Sequence, residues 1–130
     1  MNKSIFIVLM IFLVPLAVYF GLTRETVVTQ PTVAANSAEV IKFSSPMCYE
    51  CQQLEKVFEQ VFPTYQKDIN LIKIDVTKKD NQVKNMIKKY GVKLVPTTVF
   101  KDTNGNVKHR IEGTMEPKVL DNYFSELING

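Results

Sequence analysis

The chain has no tryptophan, a single histidine and only two cysteines among its 130 residues. Each scarcity excludes something. Two cysteines and one histidine cannot complete a metal site of four cysteines, or of two cysteines and two histidines, within one chain. A length of 130 residues leaves no room for a multidomain enzyme. A net charge of +3, with the lysines interspersed among acids, lacks the one-sided basic stripe of a nucleic-acid binder. No nucleic-acid partner is therefore expected, and Lys78-Lys79 and Lys88-Lys89 read as solvated faces. The last absence is local: from Ser4 to Leu22 no residue is charged and nearly all are large and apolar.

That uncharged run divides the chain. A helix of ~19 residues rises ~28 Å, close to the ~30 Å hydrocarbon core of a bilayer. The expectation for 1–22 is an N-terminal transmembrane helix acting as a membrane anchor, with a cleaved signal sequence as the alternative. Small residues suited to cleavage come late, at Ala34-Ala35. Lys3 on the amino-terminal side favours a cytoplasmic N-terminus and an extracytoplasmic remainder. Residues 23–38, rich in threonine and alanine and interrupted by Pro31, read as a linker. The folding unit is then 39–130, with a net charge of +2.

Within 39–130 the apolar periodicity alternates between that of strands and that of helices. Strands are predicted over 39–44, 70–76, 97–101 and 106–112. A helix is predicted from Cys48 to Phe62, with Cys51, Leu54, Val57, Phe58, Val61 and Phe62 on one face. Gln52, Gln53, Glu55, Lys56, Glu59 and Gln60 fill the other, and Pro63 marks the end. Asp80 caps a helix running to Tyr90, with Gly91 as its stop. Residues 102–105 form a hairpin turn, and Pro117 opens a final amphipathic helix. The order β-α-β-α-β-β-α predicts an α/β fold, a mixed four-stranded sheet flanked by helices on both faces.

Both cysteines lie in Met47-Cys48-Tyr49-Glu50-Cys51, a C-x-x-C between a strand and a helix. A pair at this spacing serves as half a metal site, as a structural disulfide, as inert buried thiols, or as an exchange site. A helix N-terminus stabilises a thiolate at Cys48, and Cys51 lies one turn on. Met47, Cys48 and Cys51 are also soft donors suited to Cu(I), which keeps an extracytoplasmic copper-binding or metal-delivery module as the alternative function. Val95-Pro96-Thr97 stands just before the third strand, where a proline is tolerated. A cis Val95–Pro96 bond there would bring backbone beside the cysteines to pair with an extended substrate; a trans loop proline is the commoner case.

Together, the strand–Cys48-Tyr49-Glu50-Cys51–helix, Val95-Pro96-Thr97, Gly113 and the closing hairpin and helix resemble the thioredoxin superfamily across 39–130. The resemblance implies a thioredoxin-like fold preceded by the N-terminal helix, and thiol-disulfide exchange with Cys48 as nucleophile and Cys51 as resolving thiol. It implies a cis Pro96, with Val95, Pro96 and Thr97 binding substrate. No cofactor is expected beyond the redox-active Cys48–Cys51 disulfide, and no metal. The implied partners are protein thiols and disulfides and an electron donor or acceptor, with a membrane thiol-electron carrier as a candidate. The implied enzyme is an anchored, extracytoplasmic oxidoreductase. The sequence departs from thioredoxin proper in three ways. Tyr49-Glu50 replaces the usual Gly-Pro, Lys42 stands where a buried aspartate assists the resolving cysteine, and the leading strand and helix are missing. Lys42 and Glu50 push the Cys48 pKa in opposite directions, so both are tuning residues with Tyr49, although Lys42 could also snorkel to the surface. With no cation between the cysteines, a reductase or isomerase-like role is expected over that of a strong oxidase. His109 is expected to be an exposed strand histidine, and Asp75 to serve a turn.

Overall fold

The computed structural model describes residues 2–22 and 36–130. In chain order it contains α1 (Lys3–Leu22), β1 (Ala38–Ser44), α2 (Tyr49–Tyr65), β2 (Ile69–Asp75), α3 (Asn81–Lys89), β3 (Thr97–Lys101), β4 (Val107–Glu112) and α4 (Pro117–Asn129). Most of the linker expected over 23–38 lies outside the described residues.

The α1 helix forms with Pro15 inside it, and its described apolar side chains are exposed. Among the described residues, no helix is long and apolar enough to cross a membrane. The transmembrane helix expected over 1–22 is corrected on this point.

The strands form one sheet in the order β2-β1-β3-β4. β1 and β2 are parallel, joined by a helical crossover, and β3 and β4 form an antiparallel hairpin against β1. Asp102 closes that hairpin. Its carboxylate accepts from the backbone N–H groups of Asn104 and Asn106, both at 2.9 Å.

Strand alternation sorts β1 onto two faces. Ala38 and Val40 face α2 and α4, in a core with Leu54, Phe58, Leu120 and Phe124. Ile41 and Phe43 face α3, in a second cluster with Ile74 and Val99. Phe124 organises the first core: its ring lies 5.8 Å from that of Phe58 and 5.2 Å from that of Tyr65, both edge-on. Each such fully buried side chain is worth about 1.5–3 kcal/mol of transfer free energy.

Helix ends follow local chemistry. The Asp80 carboxylate caps α3 by accepting from Val83 N–H at 2.8 Å. Past the end of α3, Gly91 takes φ +59° while Val92 N–H donates back to Ile87 O at 2.9 Å. Pro63 does not end α2, as expected from the sequence; it sits within the last turn, and the helix continues to Tyr65. Tyr65 holds that turn in place, since it is buried and its hydroxyl donates to Asp121 Oδ1 of α4 at 2.8 Å.

Candidate functional site

The site forms where β1 ends and α2 begins. Cys48 is the N-cap of α2, with extended backbone (φ −89°, ψ 117°). Its sulfur takes the place of the usual capping oxygen, accepting from Cys51 N–H at 3.2 Å. Cys48 is half-buried, Cys51 is buried, and both are free thiols. One sulfur therefore meets solvent at a helix N-terminus while the other waits one turn inside. Burial, and then the hydrogen bond with Cys48, push the Cys51 thiol up to about 11, while Lys42 acts in the opposite direction.

The second half of the site comes from the loop before β3. The Val95–Pro96 peptide is cis, as the family resemblance implied. Val95 O lies 3.8 Å from Cys48 Sγ, which donates to it. Gly113, at φ +93°, donates its N–H to Pro96 O at 2.8 Å, tying β4 to the loop. Thr97 is buried and its hydroxyl donates to Leu94 O at 2.7 Å. The fold thus brings Val95, Pro96 and Thr97 to the cysteines. Met47 (92% exposed) and Tyr49 (73%) form an apolar rim around the entrance, and Glu50 is exposed beside them.

Lys42 does not snorkel. It is 0% exposed, its ammonium is paired with Glu55 Oε2, and it stands over the Phe58 ring at 4.8 Å from the centroid. Burial lowers its pKa from 10.5 to about 8, and repulsion from Lys73 adds to this. The opposite carboxylate of Glu55 favours the charged form. Glu55 also pairs through Oε1 with Lys73. The expectation that Glu55 lies on the outer face of α2 is overturned, because a carboxylate one turn past Cys51 reaches the buried ammonium below. A signal for this was present: Lys42 alternates with Ala38 and Val40 in β1 and so must point toward α2.

Cys51, Glu55, Gln52 and Asp75, with Ser44, Ser45 and Pro46, line a cavity of about 200 Å³. Asp75 also forms the expected turn, accepting from Thr77 N–H at 2.9 Å and Thr77 Oγ1 at 2.6 Å. His109 is only partly exposed. It pairs with Glu126 at 3.0 Å and packs on Tyr123, in place of the open strand position expected. Among the described residues, no group of three or more His, Cys, Asp or Glu side chains could hold a metal ion.

Comparison with known proteins agrees with this fold. The thioredoxin family model matches residues 24–126. A thioredoxin-2 of the malaria parasite protein secretion machinery superposes with a TM-score of 0.62 at 22% identity, over 70% of this chain and 84% of that one. The germline-specific thioredoxin Deadhead of Drosophila melanogaster gives 0.61 at 25% identity, over 73% and 86%. StoA of Bacillus subtilis gives 0.57 at 14% identity, over 68% and 82%. No curated protein matches the chain.

Proposed function

Because the chain belongs to the thioredoxin family, we propose that it is a thiol-disulfide oxidoreductase in which Cys48 attacks and Cys51 resolves. The observation that carries this reading is the unequal placement of the two sulfurs: Cys48 half-buried at the helix N-terminus, Cys51 buried one turn on. In the reducing direction, the Cys48 thiolate attacks one sulfur of a substrate disulfide. A Cys48–substrate bond forms, the substrate S–S bond breaks, and its other sulfur leaves as a thiolate. Cys51, once deprotonated, then attacks Cys48 Sγ. The Cys48–Cys51 disulfide forms and the substrate leaves reduced by two electrons. The dithiol pair is itself the redox group, and no other cofactor enters these steps.

The loop of Val95, Pro96 and Thr97 supports a substrate-positioning role, since Val95 O already contacts Cys48 Sγ. An extended peptide chain is the form of substrate such a loop suits. Tyr49 and Glu50 stand between the cysteines, and neither is a cation. This favours a reductase or isomerase-like role, with a reduction potential nearer about −270 mV than about −120 mV. An external dithiol carrier then restores the reduced pair. The uncharged run over 4–22 supports export, so we place the domain outside the cytoplasm; protease added to intact cells should cleave it.

The test is reduction of insulin by the full chain with dithiothreitol as electron source. Cys48→Ser should abolish the protein-dependent rate, and an undiminished rate in that variant would sink the reading. Stoichiometric Cu(I) binding without exchange would favour a metal-delivery role for Met47, Cys48 and Cys51 instead.

A further inference from the structure

We infer that the buried Lys42 ammonium, held in place by Glu55, is the positioning charge that stabilises the Cys51 thiolate in the resolving step. This inference rests on the exchange chemistry proposed above and assigns a role to a charge layer which that chemistry does not use.

The resolving step has a physical difficulty. Cys51 is 4% exposed, yet it must carry a negative charge before it can attack. Burial alone pushes this thiol above its ordinary 9.0, so only a small fraction of it is thiolate at pH 7. A compensating charge in the same low-dielectric layer is therefore valuable. β1 supplies one directly beneath α2. Lys42 is fully buried on the face that meets α2, and its Nζ binds Glu55, one helical turn past Cys51. Cys51 and Glu55 open onto the same cavity of about 200 Å³, which is roomy enough for water. Solvent there can take the Cys51 proton.

The other charged groups around Lys42 set the balance. Glu55 and Glu59 on α2 favour its ammonium form, and Lys73 on β2 opposes it. Asp75 lines the cavity, and Thr98 pairs with Lys42 across β3 as a neutral neighbour. In the step itself, Cys51 gives its proton to cavity water. Its thiolate then attacks Cys48 Sγ, the Cys48–Cys51 bond forms, and the substrate leaves as a thiolate that is protonated by solvent. Lys42 gains no bond and loses no proton. It acts as a charge and not as a base, and this distinction can be tested.

The experiment is single-turnover reduction of a peptide disulfide by the full reduced chain, acid-quenched and resolved by mass. Lys42→Met and Lys42→Gln each remove the charge with a side chain of similar length, so one folded variant suffices. A loss of the cation should raise the Cys51 titration midpoint by about 1–2 units. Partial compensation by nucleophilicity leaves resolution about 3–10-fold slower, while the first attack by Cys48 is slowed less. The midpoint is read independently, by thiolate ultraviolet absorbance in the Cys48→Ser background. Lys42→Arg, which cannot act as a base, should resolve at a rate near that of the wild type. Resolution at the wild-type rate in both neutral variants overturns the inference. So does a folded Lys42→Arg as slow as Lys42→Met, which would mark the lysine as a proton acceptor. A wild-type chain that forms no mixed disulfide would instead fail the exchange reading itself.

Discussion

The buried face of α2 has two unlike ends. Toward its C-terminus, α2 presents Phe58, Val61 and Tyr65 to Phe124 and Leu127, a dry aromatic layer. Toward its N-terminus the same helix carries a buried Cys51 and, one turn on, Glu55 paired with a buried lysine. The first end follows the ordinary logic of cores, with close-packed apolar surface and edge-on rings. The second breaks that logic, since a buried ion pair is weak support for stability. The difference teaches where the fold is held and where its chemistry is done. The aromatic end anchors the helix so that the charged end can sit beside the resolving thiol.

The sharpest way to break this comparison is to remove the aromatic anchor. Phe124→Ala should cost about 3–5 kcal/mol in denaturant unfolding. The exchange rate per folded molecule should be unchanged; a fall in that rate would mean that the two ends are not separable. A second test concerns pH. The folded-state pKa of Lys42, about 8, lies below its ordinary 10.5. Between these values the unfolded chain binds the extra proton, so this group makes the fold more stable as pH rises from about 8 to 10.5, by about 3 kcal/mol at most. Cys51 acts oppositely: its contribution is present below its ordinary 9.0 and is lost as pH rises toward about 11. The Lys42 share is therefore read as the difference between wild-type and Lys42→Met unfolding curves, and a flat difference across that window would count against a buried ammonium.

Replacing both partners should be milder than removing one. The double variant Lys42→Leu, Glu55→Leu is expected within about 1 kcal/mol of the wild type or above it, because an apolar pair has no charge to desolvate. Glu55→Gln alone, which strands the ammonium, should be worse than the pair in thermal melts. The smallest effect belongs to the far edge. His109→Ala, which loses a half-exposed pair with Glu126, should change stability by less than about 1 kcal/mol and leave exchange untouched. A marked activity loss there would redraw the site.

Much of this was legible in the residues. Alternation and helical spacing place all four strands and the three helices after β1, because each element has one apolar face to bury. Cys48 and Cys51 announce themselves by standing between a strand and a helix. What escaped were effects of tertiary context. Pro63 reads locally as a stop, and the anchoring of Tyr65 against Asp121 overrides it. Glu55 reads as a solvent-facing acid until the lysine beneath it is known. Lys42 reads as a surface charge unless the alternation of β1 is given precedence over the preference of a lysine for water. The approach of Val95 to Cys48 was expected through the proline motif and the family resemblance, and the sheet order delivers it.

The central claim is that Cys48 is the attacking sulfur and Cys51 the resolving one. Its most direct test is the intact mass of the full-length Cys51→Ser variant after reaction with a peptide disulfide. The account predicts a stable adduct of one peptide on Cys48, absent from the Cys48→Ser variant. A chain that acquires no adduct at Cys48, or acquires it equally well at Cys51 when Cys48 is replaced, would contradict it.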